Sequence, residues 1–550
     1  MPLLSFLFLL ICYVLSGYGL LTLFGMRLKP AYTLTLSLLL GIAVASVIPF
    51  LLQLFYIVII GPTVFGALLL AALLLNIPTL LRIRKEGFPA VIRSFKPGSF
   101  RVQLYEIPFW LVLAFFIFVS VWRCYYLPPT SRDALSGPET IAEYAVREQT
   151  MINSFFRLDL WSTNNQFKSP FLISLQIIYK LAGFPFGQVW LSIVFICFTV
   201  FLYQVLKERL HPLLAGLLLL LFTMAPEIYA YSFMILYDYS NMVFYFLGLY
   251  FLFAWFRAPA PFPLTAPIPS AARPPVPPAS PAVPGLASVP PAAPPIPATL
   301  SFAGLLLGIA TYIRSETLVL VILLLPPVLL TQWRAVPDGR LRLAVGKKIA
   351  LALFLFLLPS FIGYYLPTQL YIRYYLPVHY DINTLVNDHL TDWSPLFQRY
   401  SDIVTRLLFG TFSIHLWGYI FYLTALLFLA ELIYMRRFNK EARNWLYAIA
   451  MLYLALGFLG FALPMFNLLE TTKRALFKMM PLAIAYLANN EILIRFSQRI
   501  SRWEALPGLG RPKPAVATAG ISPAPNPTTR TPSPPSAAPK KPSKKKHRKK

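Results

Sequence analysis

Long apolar runs, separated by short polar connections, make up most of the chain. A helix needs about 20 apolar residues to cross the hydrocarbon core of a bilayer. Runs of roughly this kind lie near residues 3–24, 31–57, 62–81, 105–126, 186–206, 212–226, 236–256, 301–313, 317–332, 349–366, 412–434, 445–463 and 475–490. The pattern predicts an all-α polytopic membrane protein with about 13 transmembrane helices, several of them short.

Composition supports the membrane class. Hydrophobic residues make up 57% of the 550 residues and mean hydropathy is +0.64, more than the core of a soluble protein buries. The first apolar run has no basic residues before it and no small-residue cleavage site after it, which predicts a retained helix. Cys12, Cys124 and Cys197 are far apart in apolar stretches, so we expect packing residues rather than a metal or redox motif.

The chain has a formal net charge of +27, and the positions of its basic residues predict an orientation in the membrane. Basic residues concentrate on alternate connections, at residues 27–29, 82–96, 207–209, 334–348 and 436–443. Cytoplasmic loops of membrane proteins retain Lys and Arg. We therefore expect a multi-pass protein of the cell membrane, with its N-terminus outside, its basic tail inside and anionic membrane lipids as partners. Nucleic acid is a poorer explanation of the charge.

Two large loops and two low-complexity segments complete the predicted organisation. The N-terminal part, 1–257, carries the outer loop 127–185, and the C-terminal part, 300–495, carries the outer loop 367–411. Residues 258–299 form a Pro/Ala-rich cytoplasmic linker, and residues 496–550 form a disordered basic tail. The Lys run of the tail is compatible both with binding to an anionic leaflet and with simple solvation.

A lone carboxylate, Asp133, lies near the start of the first predicted outer loop. It is a candidate general base for an attacking hydroxyl, but it is also suited to cap a helix or pair with Arg132. Spacing alone favours the structural role. Further along, Glu139, Glu143 and Arg147 share one face of a predicted amphipathic helix that lies on the membrane.

Two further charged groups interrupt apolar sequence. Arg314 and Glu316 lie between two predicted spans, where an ion pair at a helix break and a cavity-lining role are both open. Lys473 and Arg474 precede the last span on the predicted outer side. Phosphate is a natural ligand for such a pair, and snorkelling to lipid head groups is the alternative.

The second predicted outer loop contains histidines and aspartates without regular ligand spacing, at His379, Asp381, Asp388, His389 and Asp392. Metal binding is therefore not predicted. The sequence has no P-loop, no G-x-S-x-G, no H-E-x-x-H and no dinucleotide-binding glycine pattern. We expect no cofactor.

The order of these segments resembles the C-type integral-membrane glycosyltransferases (GT-C), which use polyprenyl-phosphate-linked sugars and include protein mannosyltransferase and aminoarabinose transferase relatives. The resemblance rests on Arg132-Asp133-Ala134-Leu135-Ser136, on Gly308–Glu316, and on Lys473-Arg474 before Met480-Pro481. Tyr237–Asn241 stands where many bacterial members have Tyr-Ala-Asp. The chain departs from that pattern at Asn241, where an acidic residue is expected, and at Arg132, where an aromatic residue or Gly often precedes the Asp.

The resemblance implies an inverting transfer of a sugar to a lipid, glycan or protein acceptor on the extracytoplasmic side. It implies Asp133 as catalytic base, Arg474 and Lys473 as contacts of the donor phosphate, and Arg314 and Glu316 as residues that shape the cavity. A lipid-linked-saccharide flippase or polymerase is the alternative that would not need Asp133 as a base. A non-catalytic membrane protein would need neither charged group.

Overall fold

The computed structural model describes residues 2–86, 103–157, 168–257, 296–334, 342–376, 393–436, 438–463 and 467–504. Within these ranges the chain is helical and forms no β-strand, which confirms the all-α prediction. The α-helices are Pro2–Leu23, Pro30–Ala45, Ile48–Leu54, Gly61–Leu75, Ile77–Glu86, Ile107–Tyr126, Arg132–Leu135, Pro138–Glu148, Phe171–Leu181, Val189–Lys207, Pro212–Thr223, Pro226–Tyr231, Tyr237–Arg257, Ile296–Ile313, Thr317–Leu323, Leu325–Arg334, Arg342–Tyr365, Ser394–Asp402, Thr411–Trp417, Ile420–Ala430, Lys440–Ala462, Lys473–Leu476, Met479–Asn489 and Glu491–Glu504. Short 3-10 turns span Leu104–Glu106 and Ser154–Arg157, and π-helical segments span Leu366–Tyr375, Ile403–Leu408, Glu431–Met435 and Leu468–Thr472.

Seven helices in the described part of the chain are long and apolar enough to cross a membrane. They are Pro2–Leu23, Pro30–Leu54, Leu104–Tyr126, Val189–Lys207, Tyr237–Arg257, Ala350–Tyr374 and Lys440–Ala462. A bent pair, Thr411–Trp417 and Ile420–Met435, turns through 106° and makes an eighth span if it crosses as one unit. These helices fit a polytopic membrane protein.

The predicted count of about 13 spans is wrong for the described residues. Five of the predicted runs form apolar helices of only 10–17 residues: Gly61–Leu75, Pro212–Thr223, Ala298–Ile313, Thr317–Leu330 and Met479–Asn489. Every residue of Met479–Asn489 is buried in the protein. A run of apolar residues shows that a segment avoids water. It does not show whether the segment is surrounded by neighbouring helices or by lipid.

The predicted outer loops also differ from the structure. Within 127–185, the Phe171–Leu181 segment is an apolar helix with nearly all its residues buried. The amphipathic Pro138–Glu148 helix packs against it and buries Ile141 and Ala145. Its apolar stripe is thus covered by protein rather than by a membrane surface. The second loop, 367–411, begins inside the helical continuation Leu366–Tyr375.

Charged side chains tie the Pro138–Glu148 helix to its neighbour. Lys180 Nζ lies 2.7 Å from Glu139 Oε1 and 2.9 Å from Glu143 Oε2. Burial raises the pKa of Glu139, while the hydrogen bond from Lys180 lowers the pKa of Glu143. The polar face predicted from the four-residue spacing is therefore turned partly toward the protein, where it orients the segment that follows Asp133.

The Tyr237–Arg257 span is central to the bundle. Nearly all of its residues are buried, and it packs against Ile296–Ile313, which in turn packs against Arg342–Tyr365. Asp238 lies in the first turn of the Tyr237–Arg257 span, and Arg314 directly follows Ile313. The packing of these helices brings two charged positions of distant sequence to the same end of the bundle.

The chain up to Ile500 forms one compact unit, which includes both predicted transmembrane parts. A helix begins at Ile296, inside the predicted linker, and the Glu491–Glu504 helix extends beyond the predicted boundary at residue 495. The three cysteines are free thiols and are buried.

Candidate functional site

A cavity of about 400 Å³ lies where three short helices meet. The helices are Arg132–Leu135, Pro226–Tyr231 and Lys473–Leu476. The lining includes Asp133, Glu227, Tyr231, Met234, Lys473 and Arg474. Charged groups from three separate parts of the sequence therefore face one concave space.

Asp133 and Arg474 form a direct ion pair in this cavity. Arg474 Nη1 donates a hydrogen bond to Asp133 Oδ2, and the two residues are 341 positions apart in the sequence. Both side chains are about one quarter or less exposed, at 22% and 25%. Lys168 Nζ lies 3.9 Å from the same carboxylate oxygen.

The Asp133 carboxylate lines the cavity and does not cap the helix that carries it. Ser131 caps the Arg132–Leu135 helix, because its Oγ accepts a hydrogen bond of 3.2 Å from the Ala134 N–H. The Pro138–Glu148 helix has Gly137 at its N-cap position and no side-chain cap. The capping role considered for Asp133 thus belongs to Ser131, and its carboxylate contacts Arg474 and Lys168 instead.

Lys473 forms a second ion pair at the wall of the cavity. Its Nζ lies 2.9 Å from Glu227 Oε1, with side-chain exposures of 24% and 15%. Glu227 is held in the first turn of the Pro226–Tyr231 helix. The pairing holds the Lys473 ammonium at the cavity, whereas snorkelling would direct it to lipid head groups.

Arg314 lies in a deeper charged cluster. Its Nη1 is 3.2 Å from Asp238 Oδ1 and 3.0 Å from Glu316 Oε1, so the ion pair considered for this helix break is present. Lys478, only 1% exposed, interacts electrostatically with Glu316, and neither Asp238 oxygen accepts a hydrogen bond from the described residues. Arg314 and Glu316 do not line the cavity with Asp133.

Electrostatic interactions connect the two clusters. Burial opposes the charge of Arg474, but Asp238 and Asp133 together raise the pKa of its guanidinium. Burial lowers the pKa of Lys168 to about 8, and Asp133 opposes that shift. The cavity and the deeper cluster together hold four carboxylates, Asp133, Glu227, Asp238 and Glu316, and six cations, Arg132, Lys168, Arg314, Lys473, Arg474 and Lys478, which leaves a formal charge of +2. An anion is the ligand that this balance favours.

Glu227, Asp238, Lys168 and Lys478 are charged residues near the site that the sequence alone did not identify as site residues. Each is a charged residue in or beside apolar sequence, which is costly in a membrane protein unless the charge is paired. This energetic cost of an unpaired charge is the feature of the sequence that could have identified these four residues. Asn241, the departure from the family pattern, is fully buried and donates hydrogen bonds of 2.6 Å to the Ala310 carbonyl and 3.0 Å to Thr317 Oγ1.

Among the described residues, no group of three or more His, Cys, Asp or Glu side chains is arranged to hold a metal ion. His379, Asp381, Asp388, His389 and Asp392 lie outside the described residues. The cavity described above is lined by ion pairs between carboxylates and cations.

Comparisons with protein-family models, curated protein sequences and solved structures gave no match to the chain.

Proposed function

We propose that the protein is a membrane glycosyltransferase that moves a sugar from a polyprenyl-phosphate donor to an acceptor hydroxyl on the extracytoplasmic side. The observation that carries the proposal is the meeting of Asp133 with Arg474 and Lys473 in one cavity. A carboxylate beside two cations offers the two groups that such a transfer requires, a base and a phosphate contact.

The donor phosphate would bind to Arg474 and Lys473. Arg474 offers several N–H donors in a planar fork, which suits phosphate oxygens, and Lys473 offers a compact charge. Glu227 holds Lys473 in place at 2.9 Å. The cavity of about 400 Å³ lies at the lower end of the range for ligand sites, a size for one sugar and its phosphate with the lipid chain outside.

Asp133 would act as the base. The acceptor oxygen attacks the anomeric carbon, the bond from that carbon to the phosphate oxygen breaks, and the hydroxyl proton passes to the Asp133 carboxylate. The lipid phosphate leaves as an anion beside Arg474 and Lys473. Attack opposite the leaving group inverts the anomeric centre, and fixed positive charge stabilises the anion as it forms.

Binding of the donor would also change the partner of Asp133. In the structure, Arg474 donates a hydrogen bond to Asp133. A phosphate would compete with Asp133 for this guanidinium. The carboxylate oxygen that Arg474 releases could then accept a hydrogen bond from the acceptor hydroxyl. Donor binding and activation of the acceptor are then coupled through one arginine side chain. A flippase or polymerase without this base has no need of the coupling.

The test is transfer by purified protein supplied with a polyprenyl-phosphate sugar. Asp133→Asn is nearly isosteric, so we expect a folded protein whose kcat falls by ~10²-fold or more. Asp402→Asn is the matched control. Asp402 pairs with Arg406, one helical turn further along the chain, and does not line the cavity. Full activity in Asp133→Asn would contradict the proposal, and loss of folding would show as a lost thermal transition.

Arg474→Lys separates donor binding from the base. The variant keeps the charge but loses the planar fork, and a charged hydrogen bond contributes roughly 1.5–3 kcal/mol. We expect the KM for the donor to rise about tenfold or more while Asp133 keeps a cationic neighbour. A change in kcat alone would argue against Arg474 as a phosphate contact.

A further inference from the structure

The Glu491–Glu504 helix is attached to the helical bundle along one face. Ser497 is buried, and its Oγ accepts a hydrogen bond of 2.6 Å from the backbone N–H of His211. Leu493, Ile494 and Ile500 pack against the hydrophobic core. This face packs the part of the helix up to Ile500 against the rest of the compact unit to which it belongs.

The remaining faces carry a basic stripe next to an aromatic stripe. Arg495, Arg499 and Arg502 are all exposed, and their spacing of four and three residues aligns them along the helix. Phe496 and Trp503 are 44% and 61% exposed, and their spacing of seven residues places them on an adjacent stripe.

This arrangement is typical of a helix at a membrane surface. Aromatic side chains at the interface place their rings among the upper acyl chains, and neighbouring cations contact head-group phosphates. Exposure to water alone would leave the exposed parts of these two aromatic side chains without apolar contact. Arg495 also pairs with Glu491 at 3.1 Å, so Arg499 and Arg502 supply most of the uncompensated charge on the stripe.

We propose that the Glu491–Glu504 helix lies in the plane of the membrane surface and binds anionic phospholipid head groups through Arg495, Arg499 and Arg502. Phe496 and Trp503 then insert at the acyl boundary. The chain that follows, residues 505–550, contains eleven Lys and Arg and no Asp or Glu, so it favours the same anionic surface. The proposal does not depend on the catalytic one.

The first test measures lipid selectivity of the full-length protein. The protein is placed in nanodiscs of phosphatidylcholine mixed with phosphatidylserine, and the phosphatidylserine bound to it is quantified by mass spectrometry. We expect the triple variant Arg495→Gln, Arg499→Gln, Arg502→Gln to bind phosphatidylserine at least about tenfold more weakly, because each basic residue near an anionic surface adds substantially to binding.

The control removes the same charge elsewhere. Arg147, Arg373 and Arg406 are exposed on other helical segments, and replacing all three by Gln should leave phosphatidylserine binding at the wild-type level. Both triple variants retain the basic tail. Equal binding by the helix variant and the wild type would overturn the proposal and assign any selectivity to the tail.

The second test measures depth in the membrane. The described cysteines are buried, so a fluorophore can be attached selectively to Phe496→Cys or to Gln498→Cys. Positions 496 and 498 lie on nearly opposite sides of the helix and both are exposed. We expect an aqueous quencher to reach the label at 498 but not the label at 496. Equal quenching at both positions would overturn the membrane-surface orientation.

Discussion

Arg474 interacts with two carboxylates, one at the cavity and one in the buried cluster. Asp133 accepts its hydrogen bond at the cavity, and Asp238 acts on it from the buried cluster. Asp238 in turn pairs with Arg314, whose Nη1 lies 3.2 Å from Asp238 Oδ1. A buried charge left without its partner is costly. Substitution at Arg474 or Asp238 therefore perturbs both clusters, whereas Asp133→Asn keeps the shape of its side chain.

Lys168 gives the site a dependence on pH. Burial lowers its pKa to about 8, with Asp133 and Asp238 favouring its charge and Arg314 and Arg474 opposing it. Above pH 8 the ammonium loses its proton, and one positive charge 3.9 Å from Asp133 disappears. Under the proposed function, the KM for the donor should rise as pH increases through about 8. Lys168→Arg stays charged, so this rise should move to higher pH.

Lys180→Arg is the control for Lys168→Arg, because Lys180 pairs with Glu139 and Glu143, whereas Lys168 lies beside Asp133. Its pH profile should match that of the wild type. Identical profiles for Lys168→Arg and the wild type would contradict a role for the Lys168 charge in donor binding.

The same pKa shift has a defined effect on stability. The folded-state pKa of Lys168, about 8, lies below the ordinary value of 10.5. Between these pH values the unfolded chain binds more protons, so the Lys168 contribution to the free energy of unfolding rises with pH. In Lys168→Met, this increment between pH 8 and 10.5 should be absent when unfolding is measured at each pH.

At the scale of elements, close contact between helices positions the Arg314 cluster. Gly308 in the Ile296–Ile313 helix faces Pro359 of the Arg342–Tyr365 helix. A Cβ at Gly308 would lie 2.6 Å from the Pro359 carbonyl carbon and oxygen. Small residues at such contacts let membrane helices approach closely. Arg314 follows Gly308 by less than two turns, so this contact also sets where Arg314 lies.

Gly308→Ala should therefore lower stability by about 1–3 kcal/mol, because backbone atoms must move to admit the methyl group. Thermal unfolding in detergent measures the change. Gly66→Ala is the control: no atom lies within 4 Å of a Cβ at Gly66 in the Gly61–Leu75 helix, so Ala there should keep or increase stability. Equal unfolding temperatures for Gly308→Ala and the wild type would contradict the close contact.

At the scale of the whole molecule, the predicted orientation places Asp133 and Arg474 outside and the basic connections inside. The positive-inside pattern carries this prediction. Asp133 lies in a short helix that follows the Ile107–Tyr126 helix, and Arg474 lies in a short helix that precedes the apolar Met479–Asn489 helix. A donor with its lipid tail in the outer leaflet would then present its phosphate at the depth of the cavity.

Cysteine labelling in intact cells tests the orientation. Thr130 and Lys440 are both exposed on the protein, and the described native cysteines are buried. A membrane-impermeant maleimide should label Thr130→Cys in intact cells and Lys440→Cys only after permeabilisation. Labelling of Lys440→Cys without permeabilisation would reverse the predicted topology.

The sequence by itself determined the class of the protein and several charged positions of interest. Apolar periodicity and composition are local properties, so they predicted helices and a membrane location without knowledge of packing. The same physics singled out Asp133, Arg474 and Lys473, because an ionised side chain beside apolar sequence is costly without a partner. The spacing also predicted the helix that carries Glu139 and Glu143.

Only the tertiary structure decided which helices have the length of a span and which charges meet. Met479–Asn489 is apolar because protein surrounds it, and hydropathy does not distinguish that environment from lipid. The pairing of Asp133 with Arg474 depends on contacts between segments 341 residues apart, and the partners Glu227 and Asp238 come from two further helices. Such pairings follow from the packing of the whole bundle, which no local pattern in the sequence encodes.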